Sequence, residues 1–125
     1  MEKRHFLIGY KINEFYFYSI ENRTLFRLSE KMSKVVFRRT MASLFEYLLN
    51  NSQGRVVCDN EIMTNVWELN SLKSSNQRLW QVMGNLKRTL KSFGLEEDLI
   101  IRANSSGYIV KYNTVCELYI KKIYS

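Results

Sequence analysis

Histidine and cysteine are scarce in this sequence, and their scarcity restricts the chemistry that the chain can perform. It contains one histidine, His5, and two cysteines, Cys58 and Cys116, which are far apart and form no CxxC pair. A metal site or a histidine-based catalytic centre therefore has almost no ligands or bases available. The same cysteine usage argues against a disulfide framework and indicates a reducing compartment. We expect neither a bound metal nor a cofactor.

Patterns typical of enzymes, membrane spans and secretion signals are also missing. The sequence has no Ser/His/Asp set, no carboxylate pair that marks a cleft, and no phosphate loop, since the NSSG turn at 104–107 lacks a following helix. No apolar run approaches the roughly 18 residues of a membrane span. The apolar part of the N-terminal MEKRHFLIGY is too short for a signal peptide. We therefore expect a cytoplasmic protein that is not an enzyme.

Positive charge is what the sequence has in excess. Nineteen Lys and Arg residues against twelve Asp and Glu residues give a formal net charge of +7, and hydrophobic residues make up 46% of the 125 positions. This apolar fraction is that of a folded chain, and the length suits one domain with a real core. The charge favours a polyanionic partner, either nucleic acid or an acidic membrane surface.

Hydrophobic patterning predicts strands, then three helices, then a hairpin. Strands rich in Phe, Tyr, Val and Ile are predicted at 5–12, 14–20, 24–28 and 34–39. Helices are predicted at 40–51 with Thr40 as N-cap, at 59–69 with Cys58 or Asp59 as N-cap, and at 75–93 with Ser74, Ser75 or Asn76 as N-cap. Gly94 is a candidate for the end of the third helix. Strands at 99–103 and 107–113, joined by NSSG, complete the pattern.

This order of elements is typical of an α+β winged helix-turn-helix. The predicted domain covers residues 1–112, with an N-terminal antiparallel sheet at 5–38, a helical core at 40–93 and a hairpin wing at 99–112. Residues 113–125 are interpreted as a tail, with three alternatives: a terminal strand, a dimerising segment or the start of a further region.

The third predicted helix has two unlike faces. At about 100° per residue, an apolar stripe forms from Leu79, Met83, Leu86 and Leu90. The opposite face carries Gln77, Arg78, Gln81, Asn85 and Arg88. No Asp or Glu occurs from 69 to 95. Amide side chains suit adenine edges and guanidinium groups suit guanine edges, so this face is predicted to read bases in a major groove. The alternative is a solvated helix face.

Polar and basic residues around this helix are candidates for contacts with the DNA backbone. They are Arg38, Arg39, Thr40, Lys73, Ser75, Asn76, Lys87 and Lys91. The first three stand at a predicted helix N-terminus, where free N–H groups favour an anion. Two arginines there suit a phosphate better than they suit the helix, whose dipole repels them. The alternative is two solvated arginines.

The hairpin turn and one flank of the third helix are the remaining candidates. In the turn, Arg102 could reach a phosphate or a minor groove, while short hydrogen-bonding groups come from Asn104, Ser105 and Ser106; the alternative is an ordinary polar turn. On the flank, Trp80 stands one turn before Gly84, although glycine costs about 1 kcal/mol relative to alanine within a helix. The glycine could make room for the Trp80 ring or let a phosphodiester backbone approach. Alternatively, Trp80 packs under a neighbouring loop.

Three segments resemble OmpR/PhoB-type winged-helix domains, a group that includes the ToxR/CadC-like regulators. GRVVCDNEIMTNVW at 54–67 resembles their second-helix segment, NLKRTL at 85–90 the end of their recognition helix, and IIRANSSGYIV at 100–110 their wing. The resemblance extends roughly over residues 6–112 and includes the N-terminal sheet. It matches fold anchors to Trp67, Leu86, Leu90, Gly107 and Tyr108.

The resemblance implies a bacterial transcription regulator that binds double-stranded DNA. It further implies binding as a homodimer or as tandem subunits, and contact with RNA polymerase through the 69–75 loop. Three departures weaken the transfer of specific base contacts: Cys58 replaces a capping serine, Gly84 replaces a polar residue, and the 104–105 pair replaces a basic residue and a glycine. With no receiver domain and no membrane span in the sequence, the chain is either a stand-alone regulator or a fragment of a longer one.

A second functional class remains open. Winged helices can use the same face to bind protein, and eight tyrosines with two tryptophans could anchor such an interface. The alternative prediction is therefore a protein–protein interaction module without specific DNA binding.

Overall fold

The structure, a computed structural model, describes residues 2–52, 54–68, 73, 75–111 and 113–124, with side chains between 5 and 121. Along the chain the elements are β1 (Glu2–Ile12), β2 (Tyr16–Ser19), β3 (Thr24–Arg27), β4 (Ser33–Val36), α1 (Arg39–Asn51), β5 (Val57–Cys58), α2 (Asp59–Ile62, continued by a π-helical turn Met63–Trp67), α3 (Asn76–Ser92), β6 (Ile100–Ala103), β7 (Gly107–Val110) and β8 (Val115–Tyr124). A 3₁₀ turn, Glu97–Leu99, precedes β6. The chain forms two compact units, Met1–Val36 with Thr114–Ser125, and Phe37–Asn113.

The first unit is a five-stranded antiparallel sheet of order β4-β3-β2-β1-β8. Asn13 and Arg23 make the tight turns with φ of 45° and 51°, and the Asn13 side chain accepts a hydrogen bond from the Phe15 N–H at 2.8 Å. Asparagine tolerates this left-handed conformation better than most residues. Alternating strand positions bury Tyr10, Ile12, Tyr16, Tyr18 and Leu25.

The four strands predicted between 5 and 39 are present in the predicted order, but one is shorter than predicted and the sheet has a fifth strand. The strand predicted at 34–39 ends at Val36, because Phe37 is buried in the second unit and the next residue caps a helix. Residues Val115–Tyr124, left open as a tail, form β8 along β1 and place Ile120 opposite Phe6.

The second unit packs α1 against α3 and the π-helical turn, with a three-stranded sheet of order β5-β7-β6 beside them. The buried apolar positions on the two long helices are Ala42, Leu44, Phe45, Leu48, Leu49, Leu79, Met83, Leu86 and Leu90. The stripe predicted for the third helix is therefore confirmed. Trp67 is fully buried, as expected of a fold anchor. At Gly107 a Cβ atom would lie 2.5 Å from the Val57 carbonyl oxygen, so β5 and β7 require glycine there.

Two helix predictions for this unit are wrong in detail. Thr40 is not the N-cap of α1, because Arg38 has the extended cap conformation and Thr40 already lies in the first turn. The helix predicted at 59–69 is α-helical only to Ile62 and then widens into a π-helical turn, in which the adjacent Val66 and Trp67 are both buried. Cys58 is the N-cap but provides no side-chain hydrogen bond. Leu69 lies outside the described residues.

The ends of α3 are as predicted. The Ser75 hydroxyl accepts a hydrogen bond from the Arg78 N–H at 3.0 Å, so Ser75 is the N-cap among the three candidates. At the other end Gly94 has φ of 99°, and the Leu95 N–H donates to the Leu90 carbonyl at 3.0 Å. This is a Schellman motif, in which the left-handed residue favours glycine. Within the part of the chain that the structure describes, no helix is long and apolar enough to cross a membrane.

Candidate nucleic-acid interface

The outward face of α3 is exposed along its length. All five side chains predicted to read bases are exposed: Gln77, Arg78, Gln81, Asn85 and Arg88. The Arg88 guanidinium donates a hydrogen bond to the Asn85 amide oxygen one turn earlier, so these two side chains form one polar group. The first turn contains no acidic residue. The structure thus brings the predicted residues together on one solvent-facing surface.

The arginines of this face carry uncompensated charge. Neither Arg78 nor Arg88 has a carboxylate within ion-pair distance among the residues that the structure describes. Lys73, Ser75 and Asn76 are exposed beside the N-terminus of the helix. Free cations and the positive end of a helix dipole in one place produce a surface that attracts anions.

Trp80 lies on the same exposed surface, with 70% of its area accessible. The interpretation that Trp80 packs under a neighbouring loop is therefore wrong. Gly84 does not accommodate the ring either, because the atoms nearest to a Cβ built there all belong to the Arg88 guanidinium, the first at 3.4 Å. Sequence reasoning placed Trp80 on a flank and left it out of the candidate site. The sequence did contain a signal for this exposed position, because Trp80 stands one helical turn after the polar Gln77 and one turn before Gly84.

The wing is the hairpin of β6 and β7, with Asn104, Ser105 and Ser106 exposed at its tip. Asn104 has φ of 55°. The Arg102 guanidinium binds both carboxylate oxygens of Asp59, at 2.6 and 2.9 Å, and donates to the Ser105 carbonyl at 2.6 Å.

Arg102 also lies over the Tyr108 ring, 4.7 Å from its centroid. The hydrogen bond with Asp59 raises the pKa of Arg102 above its ordinary value. These contacts join the wing to the start of α2 and leave the guanidinium occupied inside the unit. The role of Arg102 as a DNA contact stays a prediction.

The C-terminal end of α3 differs in charge from its N-terminal part. Lys91 pairs with Glu97 at 2.5 Å, and this hydrogen bond raises the pKa of Lys91 and lowers that of Glu97. Lys111 pairs with Glu96 at 3.0 Å and Asp98 at 3.1 Å. The half-buried Lys87 lies 5.7 Å from the Tyr108 ring centroid. Positive charge on α3 is thus least compensated toward the N-terminal and middle turns.

The N-terminus of α1 is a second candidate for an anion contact. Arg38 and Arg39 are exposed, Thr40 is half-buried, and neither an acidic residue nor a side-chain cap occupies the first turn. This end of α1 belongs to the same unit as α3 and the wing. Of the 69–75 loop predicted to contact RNA polymerase, residues 69–72 and 74 lie outside the described residues.

Comparison with known proteins finds similarity in structure and not in sequence. No protein-family model and no curated protein sequence matches the chain. The DNA-binding domain of E. coli CadC superposes with a TM-score of 0.73 at 15% identity, over 92% of this chain and 100% of that one. The DNA-binding domain of the response regulator AdeR, in complex with an intercistronic region, gives 0.65 at 12% identity, over 80% and 97%. The C-terminal domain of NsrR, a lantibiotic response regulator, gives 0.62 at 20% identity, over 80% and 95%.

These similarities concern the fold. The predicted α+β architecture, with an N-terminal sheet, three helices and a hairpin wing, is confirmed, and so is the resemblance to OmpR/PhoB-type domains that include CadC. The chain has the winged-helix fold of the OmpR/PhoB-type DNA-binding domains.

Proposed function

We propose that this chain is a sequence-specific regulator of transcription that binds double-stranded DNA. In this proposal α3 enters the major groove and the β6–β7 hairpin lies on the adjacent backbone or minor groove. The observation that carries the proposal is the outward face of α3, which is exposed, polar and free of acid, with two arginines that lack a carboxylate partner in the described part of the chain. The winged-helix fold, shared with DNA-binding domains of CadC and AdeR, supports it.

Base reading is assigned to the five exposed side chains of that face. Gln77, Gln81 and Asn85 can pair with adenine edges, and the two arginines with guanine edges. The hydrogen bond between Asn85 and Arg88 orders both side chains before DNA arrives, which reduces the entropy lost on binding.

Contacts with the DNA backbone are assigned to both helix N-termini. Arg38, Arg39 and Thr40 would hold one phosphate at α1, where the first N–H groups have no side-chain cap. Lys73, Ser75 and Asn76 would hold another at the start of α3. Such contacts position the protein but carry no sequence information. Lys87 and Lys91 are assigned weaker contacts, because Lys91 already has a carboxylate partner.

Trp80 and Gly84 gain a role in the same complex. An exposed indole beside the reading face can make an apolar contact with a thymine methyl group or a sugar. The absence of a side chain at Gly84 lets the DNA backbone approach this turn. The three atoms nearest to a Cβ built at Gly84 all belong to the Arg88 guanidinium, the first at 3.4 Å, which supports this interpretation.

Selection of binding sites from a random-sequence DNA library tests the proposal. We expect the 125-residue chain to enrich a motif, and its affinity for that motif to fall steeply with salt as condensed counterions are released. Gln81→Ala or Asn85→Ala should alter the recovered motif and lose about 1–3 kcal/mol at the affected base pairs. Lys87→Ala should weaken binding to all sequences alike.

Arg27→Ala is the matched control, because it removes the same charge from an exposed position in the first unit. The proposal fails if no motif is enriched and neither Arg78→Ala nor Arg88→Ala changes binding. That outcome would favour the protein-interaction module, for which exposed Trp80 is the supporting observation. Contact with RNA polymerase and tandem binding on DNA stay predictions.

A further inference from the structure

The edge strand β8 of the first unit is long and open on one side. It pairs with β1 and is the last strand in the order β4-β3-β2-β1-β8. It has 10 residues, whereas β4 at the opposite edge has 4. Long edge strands present unpaired N–H and C=O groups that pair readily with another strand unless charge, proline or a bulge blocks them. The chain contains no proline, and the register shift in the β1–β8 pairing, between Leu7 and Gly9, places its extra residue on β1 and not on β8.

Apolar side chains flank this open edge on both faces of the sheet. Tyr119 is 52% exposed and Ile120 is 49% exposed, and they lie opposite Leu7 and Phe6 on β1. Phe6 is itself 44% exposed. Exposed apolar side chains beside unpaired backbone groups are typical of a strand that is completed by a partner.

We propose that the occupant is a second copy of this chain, which pairs antiparallel along β8 and continues the two sheets into one. A two-fold arrangement of this kind places the same strand on both sides of the interface, so the strand must be complementary to itself. The proposal concerns the first unit and is independent of DNA binding.

Backbone geometry restricts the register of this pairing. Along an antiparallel edge, only every second residue directs its N–H and C=O groups toward the neighbour. Each residue must therefore lie opposite a residue an even number of positions away. A two-fold centre at Tyr119 satisfies this condition and places Glu117 opposite Lys121 of the second copy, twice per interface. Centres at Leu118 or Ile120 leave both charges opposite uncharged residues.

The side chains agree with the register centred at Tyr119. On one face, Glu117, Tyr119 and Lys121 would lie opposite Lys121, Tyr119 and Glu117 of the second copy. On the other face, Leu118 would lie opposite Ile120 of the second copy. Glu117, Tyr119 and Lys121 are exposed, and Leu118 is half-buried, so all are accessible to a partner. Within one copy the Tyr119 hydroxyl donates a hydrogen bond to Glu117 Oε2, so Glu117 Oε1 is the oxygen assigned to Lys121 of the second copy. The strand thus pairs charge with opposite charge and apolar with apolar.

Charge reversal tests the register in the absence of DNA. Sedimentation equilibrium of the 125-residue chain should show a dimer that dissociates on dilution. Glu117→Lys and Lys121→Glu should each weaken the dimer by about tenfold or more, because each puts like charges opposite one another twice. The double variant Glu117→Lys/Lys121→Glu should recover the wild-type dimer. Lys34→Glu, which makes the same charge change on the exposed edge of β4, should leave the dimer unchanged.

Cysteine cross-linking provides a second measurement that does not depend on charge. In a Cys58→Ser/Cys116→Ser background, Tyr119→Cys should form a disulfide dimer on oxidation, because residues directly opposite one another have Cα atoms about 4.5–5.5 Å apart. Leu118→Cys should not form this disulfide, because residue 118 of the second copy would lie two positions along the strand from the residue directly opposite.

Three results would overturn the proposal. They are a monomer at every concentration, a double charge variant that remains as weak as the single variants, and equal cross-linking of the two cysteine variants. Arg78→Ala/Arg88→Ala should leave the dimer intact, so failure of dimerisation and failure of DNA binding are separable.

Discussion

Basic residues in the second unit fall into two groups that differ in their partners. Arg78 and Arg88 on α3 are exposed without a carboxylate partner among the described residues. By contrast, Arg102 pairs with Asp59 at 2.6 Å, and Arg55 pairs with Glu61 at 2.8 Å. The net charge of +7 counts both groups alike, but only the first leaves positive potential for an external anion. Whether a basic side chain has a carboxylate partner, more than how many basic residues there are, distinguishes a surface that can bind an anion from a structural ion pair.

The largest expected effect concerns the unpaired group. Arg78→Ala or Arg88→Ala should each lower affinity for the selected DNA about tenfold to a hundredfold, because a bidentate contact with guanine is worth roughly 1–3 kcal/mol. The free energy of unfolding should stay within about 0.5 kcal/mol of the wild type. Fluorescence anisotropy and urea unfolding measure the two quantities. A loss of stability in place of affinity would contradict the distinction between the groups.

The paired group should respond in the opposite way. Arg102→Ala leaves the partly buried Asp59 carboxylate without its partner and should lower the free energy of unfolding by about 1–3 kcal/mol. Urea unfolding of this variant, of Asp59→Ala and of the double variant gives the coupling between the two side chains. An Arg102→Ala variant with unchanged stability and weakened DNA binding would move Arg102 into the unpaired group.

A substitution at Gly84 should affect the stability of the fold and the affinity for DNA in opposite directions. Because the atoms nearest to a Cβ atom there belong to the Arg88 guanidinium, at an ordinary contact distance of 3.4 Å, Gly84→Ala should raise the free energy of unfolding by about 0.5–1 kcal/mol. The same change should weaken DNA binding if the backbone of DNA approaches this turn. Thermal unfolding and anisotropy of one preparation measure both effects. Unchanged DNA affinity would remove Gly84 from the interface.

Lys91 belongs to the paired group, because it pairs with Glu97, although the sequence predicted a phosphate contact for it. Glu97→Gln removes the carboxylate and should strengthen binding to all DNA sequences, with a salt dependence steeper by about one released ion. Lys91→Ala is the companion variant, and it should remove the gain when combined with Glu97→Gln. Equal affinities across the three variants would show that Lys91 faces away from DNA.

The smallest effect concerns acid stability. Hydrogen bonds from Arg55 and then from Tyr47 lower the pKa of Glu61 below its ordinary 4.5. A lowered pKa in the folded state stabilises the fold above the unfolded value, and this stabilisation is lost as the pH falls through the folded value. The free energy of unfolding of the wild type, measured with urea across pH, should therefore decrease below about pH 4.5, and Glu61→Gln should show a shallower decrease. Parallel pH curves would contradict the contribution of this ion pair.

Local patterns in the sequence were sufficient for much of the fold. Helix α3 was predicted with its buried stripe, its Gly94 end and three candidate caps that include Ser75, because each depends on residues within one or two turns. The short strand β5 was missed, since two residues show no periodicity and their partners Tyr108 and Gly107 lie about 50 residues later in the chain. The π-helical turn at Met63–Trp67 was missed because its hydrogen bonding follows from packing.

In the candidate site, too, the features that depend on local spacing were predicted and those that depend on distant contacts were not. The polar face of α3 follows from helical spacing, and all five side chains predicted on it are exposed. The occupation of Arg102 was not, because its partner Asp59 lies 43 residues away in the sequence. The exposure of Trp80 was not predicted either, since the flank of a helix is covered or open according to which elements pack beside it.

By itself, the sequence determined the order of the longer strands and helices as far as the hairpin, the two faces of α3, the lack of acid from 69 to 95 and the scarcity of groups for catalysis or metal binding. These properties depend on local spacing and composition, which folding does not alter. Only the tertiary structure decided which cations keep their charge free, that Trp80 faces solvent and that β8 is an open edge. Those properties depend on contacts between residues that are distant in the chain. The sequence gives the type of each residue but does not show whether its side chain is paired, buried or exposed.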